Sequence, residues 1–337
     1  MMEAEIGKIP NGTYSGEGFV YYDGHHLGSE FTIRVTIEVR DKSITFDYSE
    51  TDDQTNGFVN GTFTSSASAA ILTLLQMVNP DIPHNEGMVK PIEIIIPEGT
   101  ILNASYPKAT TFGNHICPPN ADAIMKALAP AIPDRITAGW NHLLCSLTSG
   151  MDDEKGERYV DIFFLGQKGG SGGMLGTDGY DHIGMIDASG GVLTQDYEMF
   201  EQQTPHVLNL HEYAVDTAGA GEWRGGIGTE TVYTIGSDDT QFVTFGDGDF
   251  IPAFGLFEGQ DSSLNSIVLT FPDGTEKTPN NKDLWTGVPK GTVYHQFAGG
   301  GGGYGDPKKR DREKLAAEVR DGIISTDAAN DIYGLGT

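Results

Sequence analysis

Residues 30–48 read EFTIRVTIEVRDKSITFDY, and their apolar residues recur at every second position. Phe31, Ile33, Val35 and Ile37 fall on one side of an extended chain, and Thr32, Arg34, Thr36 and Glu38 on the other. Asp41-Lys42 interrupts that period with turn chemistry, and Ile44, Phe46 and Tyr48 resume it. The stretch predicts a β-hairpin with one face in a core.

Working outward, residues 64–78 (TSSASAAILTLLQMV) are small and helix-compatible. Thr64, Ser65 or Ser66 would cap a helix burying Ile71, Leu72, Leu75 and Met77 or Val78, and Pro80 would end it. IEIII at 92–96 predicts a short buried strand. PNADAIMKALAPAI at 119–132 predicts a second helix, broken near Pro130 and Pro133. Beyond about residue 137, strand-like runs dominate: 158–166, 206–216, 229–236, 240–247, 265–274 and 291–299, divided by Gly, Asp and Asn turns. Residues 308–332 carry a charged helix and then a short one capped by Ser325 or Thr326. The expected class is α+β and predominantly β, with mixed or antiparallel sheets, a few helices and Gly-rich turns. The expected parts are a mixed α/β segment with the hairpin (1–137) and a β-rich segment with the C-terminal helices (138–337), in one continuous unit.

The composition excludes several function classes. With 48 acidic against 21 basic residues, the net charge is −27, a field that repels phosphate backbones, so nucleic acid is not an expected partner. No apolar run reaches the roughly 18 residues of a membrane span. The N-terminus has neither the basic nor the apolar region of a secretory signal, and Cys117 and Cys145 form no C-x-x-C pair. A reduced, cytoplasmic, soluble protein is expected. The 46 glycines occur in many short clusters, which suits turns and close backbone contacts.

Those clusters resemble phosphate loops without meeting their spacing. Neither Lys42-Ser43 nor Lys277-Thr278 follows the glycines of a P-loop. Gly300, Gly302 and Gly305 fit G-x-G-x-x-G, but the match costs little inside five consecutive glycines, and a charged helix follows in place of a second strand. KGGSGGMLGTDGYDH (168–182) ends in Asp178, Asp181 and His182, two carboxylates and an imidazole within five residues. Such a group suits a hard cation or a proton shuttle, and Asp-Gly is equally common turn chemistry. The histidines are otherwise scattered, no G-x-S-x-G elbow exists, and Arg224 lies among small residues where it would clamp a carboxylate or phosphate.

Several stretches, in order, resemble the B-type subunit of ATP-dependent hydantoinases and 5-oxoprolinases, a family that includes the large subunits of acetone and acetophenone carboxylases. They are IPNGTYSGEGFVYYDG, ITFDYSETDDQTNGFVN, IPHNEGMVKPIEIIIPEGTILNASYPKAT, KGGSGGMLGTDGYDH, DYEMFEQQTP, DTAGAGEWRGGIGTE and FAGGGGGYGDPKKR. Family members begin with a further segment bearing metal-ligand-like His and Asp residues, which nothing in 1–337 matches. The resemblance therefore implies a chain completed by a partner: the missing N-terminal B-type segment or subunit, holding a divalent metal (Zn, Mn or Fe), and an A-type ATPase subunit holding ATP and Mg. No metal ligands are assigned to this chain, and no biotin is implied.

The implied chemistry is phosphorylation of a carbonyl or amide oxygen, followed by carboxylation of a ketone with bicarbonate or by cleavage of a cyclic amide. The segment from IPDRITAGWNHLL to DGYDHIG is closer to the carboxylase branch. A subunit of a heteromeric, biotin-independent ketone carboxylase is thus the leading expectation. A cyclic amidase (hydantoinase, 5-oxoprolinase or lactamase) comes next, and a non-catalytic structural subunit is the reading from another class. The candidate catalytic residues are Asp178, Asp181 and His182, then His115 and His142, whose GNH and WNH contexts set an amide beside an imidazole. Asn141, Glu198, Glu201, Arg224, Gly172 and Gly173 are the candidate substrate-binding groups.

Overall fold

The structure, a computed structural model, describes residues 1–110, 115–163, 166, 168–186 and 190–336. Its packing separates residues 1–137 with Ile186 from residues 138–185 with 190–336.

The first unit opens with α1 (Met2–Ile6) and β1 (Gly12–Tyr21), which pairs antiparallel with β2 (Glu30–Arg40). The strand β3 (Ser43–Asp47) completes the expected hairpin, with Arg40 opposite Ser43 and Thr36 opposite Asp47. Asp41 turns the corner at φ +54°, a left-handed conformation that aspartate tolerates. Ile33, Val35, Ile37, Val39, Ile44, Phe46 and Tyr48 are all buried, as the alternation requires. α2 (Phe63–Gln76) is capped by Thr62 rather than by Thr64, Ser65 or Ser66, because Thr62 and Ser65 close a reciprocal capping box. The helix buries Ser66, Ala69, Ala70, Thr73 and Leu74, while Ile71, Leu72 and Leu75 are only half-buried. The close-packed side of the helix is therefore mainly its small residues with Leu74, while of the expected positions Met77 and Val78, just beyond it, are buried.

After α3 (Glu86–Val89), β4 (Ile92–Ile95) adds parallel to β3 at the sheet edge, half-buried rather than buried. α4 (Cys117–Leu128) packs on β1 and β2 and buries all its residues but Lys126. The Tyr48 hydroxyl donates to Asn120 Oδ1 (2.6 Å), Asn120 Nδ2 donates to Ser66 O (3.1 Å), and Ser66 Oγ donates to Leu102 O (2.6 Å), so these three buried polar side chains are satisfied.

In the second unit, β5 (Leu144–Asp152) and β6 (Glu157–Ile162) form a hairpin, and α5 (Tyr197–Gln203) precedes β7 (Val207–Tyr213) and β8 (Thr229–Thr234). There follow β9 (Thr240–Gly246), β10 (Ser266–Thr270), β11 (Glu276–Lys277), β12 (Leu284–Val288) and β13 (Val293–Ala298), then α6 (Arg312–Arg320) and α7 (Thr326–Asp331), the last capped by Ser325. One sheet runs β11-β10-β13-β8-β7 and the other β12-β9-β5-β6. Phe163, Phe200, Tyr233, Phe242, Ile267, Leu269 and Tyr294 fill one core, with Tyr233 stacked on Tyr294 at 4.7 Å between ring centroids. The chain is α+β with more strand than helix, and no helix among the described residues is long and apolar enough to cross a membrane.

His206 lies against this core, where Gly236 N–H donates to its Nδ1 (3.3 Å) and its Nε2 meets Thr148 Oγ1 (3.1 Å). Burial lowers its pKa from 6.5 to about 3. A depressed imidazole stabilises the fold fully above its unfolded value and loses that contribution as pH falls toward the folded one. Chemical unfolding of the parent is expected to show roughly 4 kcal/mol lost between pH 6.5 and pH 3 from this group. His206→Gln should flatten that limb, and an unchanged slope would refute the assignment.

Candidate functional site

Lys168–His182 divides into two halves with different work. Asp178 and Asp181 face a buried charge network. Asp178 accepts both Nη1 and Nη2 of Arg310 (2.8 and 3.0 Å) and the Arg224 backbone N–H (2.9 Å). Asp181 accepts Arg224 Nη1 (2.8 Å) and the Ile227 N–H (2.9 Å). Glu318 of α6 joins the two guanidinium groups, taking Arg224 Nε at 2.7 Å and Arg310 Nε and Nη2 at 3.0 and 2.7 Å. Burial alone would raise the Asp178 carboxyl, yet the Arg310 hydrogen bonds and charge hold it below its usual range. With those oxygens committed, Asp178, Asp181 and Arg224 tie the glycine loops to the C-terminal helix, and Arg224 also lines a small cavity beside Ile324 and Tyr333.

The glycines complete that tie. Gly299–Gly303 threads between the loops, and its amides are consumed internally: Gly299 by Asn265 Oδ1 (2.7 Å), Gly300 by Thr217 O (3.2 Å), Gly301 by Gly226 O (2.9 Å), Gly302 by Gly139 O (2.8 Å) and Gly303 by Gln260 O (2.9 Å). No N–H in the run is left to cradle a phosphate. Gly172 and Gly173, expected at a substrate, are buried where a Cβ would overlap the carbonyls of Ala138 and Trp223.

His182 turns the other way, into a cavity of about 300 Å³ lined by His182, Tyr197, His211, Glu212, Tyr213 and Thr229. The His182 and His211 rings lie 5.3 Å apart, and Tyr197 is 5.6 Å from His211. His182 takes φ +48°, and its Nε2 is buried without a hydrogen-bond partner. His211 Nδ1 meets Thr231 Oγ1 at 2.9 Å. Burial, the neighbouring His211 and the Lys168 charge lower His182 to about 4. Burial and Lys168 likewise lower His211. Both rings are therefore neutral at pH 7 and able to donate or accept one hydrogen bond each. Lys168 is 5% exposed, its ammonium donates to Thr194 Oγ1 (2.7 Å), and burial lowers its pKa. Perturbed groups gathered at a cavity mark it as the candidate site.

The remaining expected residues lie elsewhere. His115 is buried in the first unit, edge-on to Phe58 at 5.6 Å. Asn141 donates to Asn265 Oδ1 (2.6 Å), and the His142 carbonyl accepts from Asn265, so both belong to a buried loop lock. Glu198 is exposed on α5, and Glu201 accepts the Leu208 N–H (2.9 Å) at the start of β7. No group of three or more His, Cys, Asp or Glu able to hold a metal occurs among the described residues, and the His182–His211 pair faces the Lys168 cation, which disfavours one.

Residues 1–307 match the Hydantoinase B/oxoprolinase family. The chain belongs to that family. Caprolactamase subunit beta of Pseudomonas jessenii is 30% identical over 99% of this chain and 58% of its own length. The 5-oxoprolinase of Dictyostelium discoideum is 25% identical over 82% of this chain and 21% of its own. Among solved structures, the ATP-dependent caprolactamase from Pseudomonas jessenii superposes with a TM-score of 0.88 at 28% identity, covering 99% of this chain and 58% of that one. A nucleotide-free acetone carboxylase superposes at 0.87 with 19% identity over 99% and 50%, a likeness of fold. The chain thus spans little more than half of the caprolactamase subunit.

On this Hydantoinase B/oxoprolinase scaffold, the residues missed from the sequence are His211, Tyr197 and Tyr213 at the cavity, Lys168 close enough for its charge to act on the two imidazoles, and Arg310 and Glu318 in the network. One signal was available: His211 and Tyr213 share a strand face by the period of two. Nothing local joins either to His182, 29 positions upstream of His211 in sequence.

Proposed function

We propose that this chain is the substrate-side component of an ATP-dependent enzyme assembly that opens a cyclic amide. The observation that carries the reading is the neutral His182–His211 pocket on a scaffold shared with caprolactamase subunit beta. Nucleotide belongs on a partner, an A-type ATPase subunit with ATP and Mg, since the glycine run here spends its amides internally. The amide oxygen attacks the γ-phosphorus of ATP, giving an imidate phosphate and ADP. Water then adds to the activated carbon and the ring C–N bond breaks as the amine takes up a proton, giving an acyl phosphate; a second water hydrolyses it to carboxylate and phosphate, for a net consumption of ATP and two waters. The two imidazoles, uncharged at neutral pH, take up and return the proton of the first water. The divalent metal and closure of the site against solvent are assigned to the family segment outside these 337 residues.

Ketone carboxylation, the leading expectation from sequence, shares the phosphorylation step. Its support here is a fold likeness at 19% identity, so ring opening takes precedence. Assaying the co-purified assembly with ATP separates them: lactam or hydantoin opening without bicarbonate on one side, bicarbonate-dependent ketone consumption on the other. His182→Asn and His211→Asn, each in an intact assembly, are expected to lower kcat by about 10²-fold or more. Full turnover in both variants would leave the chain a structural subunit and sink the proposal.

A further inference from the structure

We infer that the His182–His211 pocket is a subsite for a small oxyanion, a carboxylate or a phosphate group, drawn by the Lys168 ammonium and held by the two imidazoles. The inference rests on the preceding reading only for where the anion comes from, not for its binding.

The first ground is Lys168. In a chain with more than twice as many acids as bases, Arg224 and Arg310 each engage two carboxylates. Lys168 is about as deeply buried, and among the described residues its ammonium meets only a hydroxyl and pairs with no carboxylate. An uncompensated buried ammonium is costly, and a bound anion removes that cost. Its backbone is also fixed, because Thr229 Oγ1 donates to Lys168 O (3.0 Å) at the cavity wall.

The second ground is independent. His182 Nε2 is buried and unpartnered on a residue held at positive φ, a conformation a bulky side chain adopts at some strain. His211 has Nδ1 engaged by Thr231, which leaves Nε2 for a ligand. Two neutral rings 5.3 Å apart can each present an N–H to one oxyanion. The exposed phenols of Tyr197 and Tyr213 stand at the mouth. Glu212, the one acid in the lining, is exposed and alternates to the strand face opposite His211 and Tyr213. A metal cation would meet the Lys168 charge; an anion is attracted by it.

A carboxylate carried by a substrate or product and a phosphoryl group of an intermediate share this chemistry, and the test distinguishes them. Histidine-ring NMR on the full 337-residue chain is recorded while acetate, bicarbonate or inorganic phosphate is added against chloride at matched ionic strength. Saturable shifts at His182 and His211 are expected, weakened by about tenfold or more in Lys168→Met. Tighter phosphate than acetate assigns the phosphoryl source, and the reverse assigns the carboxylate. Should Lys168→Met fail to fold, the parent alone decides, since a bound anion must raise both imidazole pKa values. Absence of saturable shifts, or unmoved imidazole titrations, overturns the inference. Anion binding without ATP-dependent turnover in the assembly would sink the proposed reaction and leave the subsite standing; turnover without anion binding would do the opposite.

Discussion

Arg310→Met is expected to lower the unfolding free energy by about 3–5 kcal/mol. Arg310 is 2% exposed, and every guanidinium nitrogen is engaged: Nε and Nη2 on Glu318, Nη1 and Nη2 on Asp178, and Nη1 also on Glu222 O (3.2 Å). Removing it leaves the buried Glu318 and the half-buried Asp178 short of their main cation, and stranded charge costs more than the pair gained. Arg310→Lys should recover little of the loss, because an ammonium cannot fork onto two carboxylates. Lys314 is the control. It lies 4.0 Å from Asp178 with an exposed side chain, and Lys314→Ala should stay within about 1 kcal/mol of the parent. Urea unfolding of the three variants measures the differences. Equal stabilities of Arg310→Met and the parent would show that the network does not hold the C-terminal helix to the loops.

Gly226→Ala is expected to be more damaging still, costing more than about 5 kcal/mol or preventing soluble expression. A Cβ there would overlap the Tyr180 carbonyl, which is backbone and cannot swing aside. The same residue donates to Ser171 O (2.7 Å) and accepts from Gly301 (2.9 Å), so any retreat breaks the lacing of three loops. Gly274 gives the contrast. It has φ +83° and open space around its Cα, so Gly274→Ala should cost only the left-handed penalty of about 1–2 kcal/mol. Thermal unfolding of both variants ranks the two mechanisms. A Gly226→Ala protein as stable as Gly274→Ala would refute the close-packing account.

The hairpin was legible because its code is local. One face of β2 and β3 meets a core and the other meets solvent or polar neighbours, so a period of two survives in the residues themselves. β1 and β5 lost that signal for different reasons. Gly16 and Gly18 interrupt β1 where α4 approaches, and a side chain there would overlap α4 backbone. β5 is central between β9 and β6, and it buries Ser146 and Thr148 along with Leu144 and Cys145, so polarity no longer marks its outer face. On α2, a small-residue face packs most closely, which hydrophobicity alone ranks the wrong way.

The candidate site divides along the same line. The sequence by itself determined the α+β class, the hairpin, a capped short helix at 325–332, the absence of P-loop spacing and the family, because propensity, period and motif order are carried by neighbouring residues. Only the tertiary structure decided that Asp178 and Asp181 serve Arg310 and Arg224 while His182, one residue beyond Asp181, faces His211 and Lys168. Long-range ion pairs and cavities depend on which loops cross, and here the crossings are set by glycine-to-carbonyl contacts between segments far apart in the chain. Residue type states what a carboxylate or imidazole can do; the partner it meets in space decides which of those it does.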